Sequence, residues 1–489
     1  MQETSADSSP STAPSLRQRE MLAEIRKADQ KLTAKYAAVM HVNDDLDRTL
    51  VSFQANRDES GHRWYKYREG FSADLIRYII KKAGFSSGPV LDPFAGSGTA
   101  LFISAEQGLD AIGIELLPSS SEIIELRSAL SRADSLAVMQ GVADFLLRRS
   151  WLKEGPRQPF QHLRITAGAF PEDTERQLGR YLHDAGRDPK RLVGRILRFA
   201  ALCVLEEISF TRKDGQYLRW DQRSGRCLGK SRFDKGRIPS FDEAIAAKLK
   251  EMIADLSGRA TEPTLFTSSE PRKLKAKIDL RVGSCLDVVP TFTPGSIAGV
   301  ITSPPYCNRY DYTRTYALEL AALGIGEDGV RKLRQTMLSC TVENRDKKDL
   351  PSKFGPDVFR EASQAFGSQR QLELLLRYLE QCKKDETINN PGIVRMVKNY
   401  FFEMSLLIFS LSKCLKPAAP FVMVNDNVRY QGAHVPVDLI LSDFAQQAGL
   451  CVESIWVLPR GKGNSSQQMG VHGREEIRKC VYVWRKKGE

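Results

Sequence analysis

Residues 88–118, GPVLDPFAGSGTALFISAEQGLDAIGIELLP, limit what this 489-residue chain can fold into more than any other stretch. A short apolar run (Pro89 to Leu91) leads into a glycine-rich turn, a helix-forming stretch follows (Thr99 to Gln107), and a second apolar run closes the unit (Ala111 to Ile114). Strand, tight turn, helix and strand in that order form the unit of a parallel, doubly wound sheet, because a right-handed crossover lays the second strand beside the first. An α/β fold is therefore expected.

The turn itself, Asp92-Pro93-Phe94-Ala95-Gly96-Ser97-Gly98-Thr99, restricts the ligand. Its glycines permit a tight bend and a close approach of backbone. The third glycine of a dinucleotide fingerprint would fall at 101, where Leu101 stands, and Thr99-Ala100 after Gly98 is not the Lys-Ser/Thr of a phosphate loop. Glu115 at the end of the second strand can accept hydrogen bonds from both hydroxyls of a ribose. A nucleoside cofactor without an essential phosphate site fits this pattern, and so does a plain turn with a surface glutamate.

Alternation resumes much later in the chain. KIDLRVGSCLDVV and GVITSPPY carry strand runs, VRMVKNYFFEMSLLIFSLSKCL reads as a long helix, FVMVNDN as a strand, VDLILSDFAQQAG as a helix, and ESIWVLP and KCVYVWR as closing strands. Between these lie two irregular stretches. The reading is one catalytic sheet domain (61–130 with 275–489), interrupted by residues 131–274 and again by 320–392, and preceded by an extension over 1–60. In that extension a Ser/Pro/Thr-rich tail precedes an amphipathic helix from Leu16 to about Met40, suited to docking on another element or to dimerisation.

Thr302-Ser303-Pro304-Pro305-Tyr306 follows the apolar run Gly299-Val300-Ile301 directly. Two prolines end the strand and hold the chain extended, so Ser303, the Pro304 carbonyl and Tyr306 project from the C-terminal edge of the sheet, where open α/β folds bind ligands. Backbone without N–H groups can only accept hydrogen bonds, which suits an exocyclic amine with two donors, and a tyrosine ring offers a stacking face. A Pro-Pro-Tyr ligand for a small recognition domain is the alternative for a loop, though not for a strand end.

DPFAGSGT and TSPPY together resemble the S-adenosylmethionine-dependent amino-methyltransferases of DNA, and serine at the head of the tetrapeptide resembles the N4-cytosine branch. The resemblance implies a Rossmann-like S-adenosylmethionine-dependent methyltransferase sheet whose large insertions form a DNA-recognition region. It implies S-adenosylmethionine as cofactor, with Asp92, Phe94, Gly96, Gly98 and Thr99 lining its pocket and Glu115 on the ribose. RWYKYREGFSADLI matches the segment that closes over the methionine end, with Phe71 in contact. Where such enzymes carry an acidic residue before the catalytic loop, this chain has Ser284, with Asp287 three positions on; both are taken as cofactor contacts. Ser303, Pro304, Pro305 and Tyr306 are the expected catalytic residues. The glycine loop precedes the catalytic loop, an order that departs from the N4-cytosine group, so an N6-adenine DNA or RNA enzyme stands as the alternative. A non-catalytic DNA-binding protein on the same scaffold is another.

Methyl transfer to an aryl amine depends on in-line placement more than on a strong base. A C5-cytosine enzyme would need a thiolate from a Pro-Cys pair, which is missing from the sequence; Cys307 lies beyond the tetrapeptide and is read as a bystander. The target amine is inside a duplex, so the base must be extruded. Tyr306 would wall its pocket, and Tyr310, Tyr312 and Tyr316 would support that pocket or serve as packing.

The net charge of +12 points to a polyanion, and residues 211–240 carry nine Lys or Arg against three Asp, with Tyr217, Trp220 and Phe233 interleaved. This run is the candidate for reading duplex DNA through Arg212, Lys213, Tyr217, Arg219, Arg223 and Arg226. A solvated charged hairpin has the same composition. A second basic loop, PRGKGNSSQQMGVHGREEIRK, joins the last two strands and either flanks the active site or simply turns the chain. Nine dispersed cysteines and six dispersed histidines give no metal-ligand spacing. With no apolar leader and no run of about 18 apolar residues, a cytoplasmic protein is expected, off the membrane and possessing a cognate restriction endonuclease as a candidate partner.

Overall fold

The computed structural model describes residues 14–47, 50–51, 62–67, 69–187, 191–214, 217–226, 232–260, 274–459 and 477–488. In chain order its strands are β1 (Met40–Val42), β2 (Val90–Asp92), β3 (Ala111–Glu115), β4 (Thr211–Asp214), β5 (Tyr217–Trp220), β6 (Ile278–Val282), β7 (Gly299–Thr302), β8 (Pro420–Asp426), β9 (Val428–Tyr430), β10 (Ala433–Val435), β11 (Leu450–Val457) and β12 (Lys479–Lys486). Eight of them form one sheet in the order β1-β11-β12-β8-β7-β2-β3-β6. All pairings in it are parallel except those of β12 with β8 and β11, so β12 alone runs against the rest. This is the doubly wound, Rossmann-like methyltransferase architecture that the resemblance implied.

Burial explains the strand composition. β2, β7 and most of β8 are covered on both faces and read as continuous apolar runs rather than alternating ones. One face packs on the long Gly392–Cys414 helix and on Val437–Gln447; the other packs on Ala73–Lys82, whose Leu75, Ile76, Ile79 and Ile80 are all buried. Each such side chain contributes roughly 1.5–3 kcal/mol over its exposed state. Ser72 caps that helix by accepting from the Leu75 N–H at 3.0 Å.

The chain order reverses between β2, which continues to β3, and β7, which continues to β8. Ligands bind at such a switch point, outside the carboxyl ends of the strands. Here the Thr302 hydroxyl donates to Asp92 Oδ1 across the gap at 2.7 Å, tying the two strand ends together.

Several expectations change. The N-terminal helix is Leu16–Tyr36, closed by a capping box between Ser15 and Gln18, and it docks on the Arg370–Lys384 helix of the same chain. It then delivers β1 to the edge of the sheet beside β11, a strand the sequence reading did not contain. The insertion is a separate helical core, but that core also takes residues 117–130 and 316–337, because Leu117, Ile123, Leu126, Leu130, Tyr316 and Leu320 turn into it. Residues 320–392 are not a unit of their own: the Leu350–Ser368 and Arg370–Lys384 helices pack against Gly392–Cys414 in the sheet's core. The start of the tail (1–13) and most of the second basic loop (460–476) lie outside the described residues.

Candidate functional site

The turn after β2 is shaped by two positive-φ glycines. Gly96 has φ 54° and Gly98 φ 78°. A Cβ on Gly96 would stand 2.8 Å from a Tyr67 ring carbon, and one on Gly98 would stand 2.8 Å from Ile124. Larger residues are therefore excluded by conformation and by space. Gly98 begins the Thr99–Glu106 helix and packs on the protein, away from the cavity.

Glu115, at the end of β3, is buried. Its two oxygens accept from the Gly96 N–H at 2.6 Å and the Leu117 N–H at 2.7 Å, which fixes the carboxylate against the loop and leaves its remaining lone pairs for a ligand. Asp92 accepts from Thr302 and from the Phe94 N–H at 3.0 Å through Oδ1, while Oδ2 is buried with no hydrogen-bond partner. Burial raises both carboxyls to about 7.

A cleft of about 740 Å³, mouth included, opens beside these groups. Its walls include Phe71, Phe94, Gly96, Thr99, Glu115, Ser284, Ser303 and Pro305, so the geometry brings together most of the expected cofactor residues and half of the expected catalytic tetrapeptide. Pro304 is buried behind it. Tyr306 is half-buried next to the cleft, where its oxygen accepts from the Ser303 hydroxyl at 3.4 Å; burial holds the phenol neutral, far above its ordinary range.

Of the remaining cofactor expectations, Ser284 keeps its place at the cleft and Asp287 is corrected, as Gly98 was. Ser284 lines the cleft, but its hydroxyl donates to the Thr336 carbonyl at 2.9 Å and caps the Cys285–Val288 turn of helix, so it is spent on structure. Asp287, three residues into that turn, points elsewhere and pairs with Lys353 at 2.6 Å.

Residues the sequence reading missed complete the cleft. Tyr67 and Glu69 line it from the segment before Phe71 and Met337 and Leu338 from the far side, where Tyr312, already expected to support the base pocket or to pack, joins them. Glu69 accepts from the hydroxyls of both Tyr310 and Tyr316, and Tyr67 stacks on Tyr316 with centroids 5.4 Å apart. Tyr316 is fully buried, so packing is its role. The alternation Tyr65, Tyr67, Glu69, Phe71 was the available signal.

The basic insertion folds as a hairpin, β4 with β5, packed on the Tyr312–Thr315 helix turn beside the catalytic loop. Lys213 is not on its surface. Only 3 % of its side chain is exposed; its ammonium binds Glu319 at 2.5 Å, itself 1 % exposed, and lies 4.2 Å from the Tyr316 ring centroid. A phosphate cannot reach it. Arg212 is exposed. Arg219 stacks on Phe233, Arg223 holds Asp221 at 2.7 Å, and Arg226 lies over Trp220 at 4.3 Å. Tyr217 heads β5, and its side chain lies outside the described residues.

Cys307 is fully buried, and burial pushes its thiol far above the usual range, so no thiolate nucleophile forms there. Among the described residues no group of three or more His, Cys, Asp or Glu is placed to hold a metal, and no helix is long and apolar enough to cross a membrane.

The residues present suit S-adenosylmethionine. An unpartnered Asp92 oxygen and the Glu115 carboxylate answer a cationic, ribose-bearing ligand, and the aromatic and aliphatic walls answer its adenine. A pH dependence follows. Below about pH 7 the two acids are increasingly neutral, so affinity for the cationic cofactor should rise as pH increases from 6 to 8, read by calorimetric titration. Glu115→Gln should flatten that rise; an unchanged profile in this variant would remove Glu115 from it. The unliganded fold should change in the opposite sense. Both pKa values are raised on folding, so stability declines as pH rises from about 4 and levels off above about 7.

A family model described as DNA methylase, of the N6/N4 methyltransferases, matches residues 11–126. The Type II methyltransferase M.AvaI of Nostoc sp. is 46% identical over 466 residues, covering 95% of this chain and 94% of the relative. The Type II methyltransferase M.BsoBI of Geobacillus stearothermophilus is 38% identical over 477 residues, covering 93% and 91%. No solved structure matches. Similarity that runs through glycine loop, helical insertion and catalytic loop alike leaves one conclusion: the chain belongs to the type II DNA methyltransferases of the N6/N4 amino-methyltransferase family, which act on duplex DNA with S-adenosylmethionine as methyl donor.

Proposed function

We propose that the enzyme methylates the exocyclic N4 amine of a cytosine extruded from the duplex, within a short sequence read largely by the helical insertion and its hairpin. The observation that carries this reading is Ser303-Pro304-Pro305-Tyr306 at the carboxyl end of β7, with serine first and the cofactor cleft alongside.

When bound, S-adenosylmethionine supplies an electrophilic methyl on a sulfonium. Asp92 and Glu115 hold it by charge and hydrogen bonding, and the segment from Tyr67 to Phe71 covers it. Ser303 donates its hydroxyl hydrogen to Tyr306, so its oxygen lone pairs face outward and can accept one amine hydrogen. The Pro304 carbonyl accepts the other. Holding both hydrogens leaves the nitrogen lone pair directed at the methyl and stabilises positive charge as the nitrogen becomes tetrahedral. The neutral Tyr306 ring supplies a face for the flipped base.

Duplex DNA methylated by the protein, digested to nucleosides and weighed, should contain N4-methylcytosine. N6-methyladenine in its place would overturn the base assignment and leave the family assignment intact.

A further inference from the structure

The segment that covers the donor cleft is anchored in a different core at each end. Trp64, Tyr65 and Tyr67 belong to the helical core, whereas Phe71 packs on the sheet and Ser72 caps the helix that follows. Between these anchors, Glu69 reaches across to the chain that leaves the catalytic loop. Its Oε1 accepts from the Tyr310 hydroxyl and its Oε2 from the Tyr316 hydroxyl. Burial holds both phenols far above their ordinary range, so both remain donors.

Each contact continues into the walls of the cleft. Tyr310 comes four residues after Tyr306, and its ring meets that of Tyr312 edge to face, with centroids 4.8 Å apart. Tyr312 lines the cleft. The Tyr310 carbonyl accepts from Cys340 Sγ at 3.4 Å, two residues beyond Leu338 of the same wall. On the other branch, Tyr316 stacks on Tyr67, which lies against Gly96 of the glycine loop. Neither Tyr310 nor Tyr316 is among the described residues that line the cleft. One carboxylate thus joins the cover over the donor, the wall facing it and the chain that carries the tetrapeptide. Hydrogen bonds to an ionised acceptor are the strong ones, and two donors fix its direction.

We propose that Glu69 is a positioning residue for methyl transfer, a clasp that sets the alignment between the covered methyl donor and the amine presented at the tetrapeptide. A misplacement of about 1 Å costs such a reaction about a hundredfold in rate. The inference rests on the cleft being the donor site and on Ser303-Pro304-Pro305-Tyr306 being the catalytic loop. It does not depend on which amine is methylated.

Single-turnover methylation with both S-adenosylmethionine and duplex DNA saturating reads alignment rather than affinity. Glu69→Ala should slow it about ten- to a hundredfold, and Tyr310→Phe about three- to tenfold. Glu69→Ala combined with Tyr310→Phe should be no slower than Glu69→Ala alone, because both cut one tie. Glu69→Gln can still accept from one phenol and donate to the other, and should regain most of the rate. Thermal unfolding identifies the variants that fold; Tyr310→Phe removes only a hydroxyl and carries the test if Glu69→Ala folds poorly. A parent rate in Tyr310→Phe would overturn the proposal, even with cofactor affinity weakened in Glu69→Ala, since Glu69 would then be a direct donor contact. So would a loss in the double variant equal to the product of the single losses. Glu115→Gln separates the two readings. Unchanged cofactor affinity there would dislodge the donor site and the clasp with it, whereas weakened affinity there beside a parent rate in Glu69→Ala would overturn the clasp alone.

Discussion

Ser303→Ala is expected to lower turnover on duplex DNA about a hundredfold, while the dissociation constant for S-adenosylmethionine stays within about twofold. The split arises because the groups that answer the cofactor's charge and ribose, Asp92 and Glu115, sit on β2 and β3, whereas Ser303 extends from β7 and acts on the amine. Ser303→Thr keeps the hydroxyl and should recover part of the rate. Tyr306→Phe keeps the ring and should be mild, whereas Tyr306→Ala gives up base stacking and should cost about ten- to a hundredfold. Single-turnover assays beside equilibrium cofactor titration measure both quantities. Full turnover by Ser303→Ala would remove the hydroxyl from the mechanism.

Lys213→Met is expected to destabilise the protein by about 3–5 kcal/mol, the usual cost of leaving one partner of a buried pair charged and alone. The partner is Glu319, whose Oε1 accepts from Lys213 and from Tyr65 in an aromatic enclosure with Tyr316. Removing both charges in Lys213→Met with Glu319→Leu should restore most of the loss, because desolvating an ion pair offsets much of its attraction. Denaturant unfolding reads the three proteins. The salt dependence of DNA binding should be the same in Lys213→Met as in the parent, while Arg212→Ala should flatten it. A stable Lys213→Met variant with a flattened slope would return Lys213 to the DNA surface.

How Lys213 was misread shows what the sequence could and could not tell. A charge run is counted along the chain, but burial in a strand is decided by period two. In β4 Thr211 and Lys213 face inward, and Arg212 and Asp214 outward. The alternation was present in the letters and was outweighed by the density of basic residues. The glycine loop, Glu115 and the tetrapeptide were legible because their function depends on spacing within one strand and turn. Met337 and Leu338 were not, since only the packing of the helical core on the sheet carries them to the cleft. Ser284 was assigned by its place in a pattern, and its hydroxyl is committed to Thr336, a contact made 52 residues away. β1, β9 and β10 have three residues each, too few for any periodicity to register.

β12 fills the gap between β8 and β11, so β11 and β1 reach the rest of the sheet only through it. Its residues, 479–486, come late in synthesis, whereas β1 emerges early and then waits through more than four hundred residues for its partner. Contacts of such sequence separation form slowly and leave open strand edges in the meantime. On a ribosome, the five parallel strands from β6 to β8 can assemble first, with donor cleft and catalytic loop already between them. The flank made of β11 and β1 is finished only when β12 seats. The nascent enzyme would thus complete its methyl-donor site while the far flank of its sheet is still open.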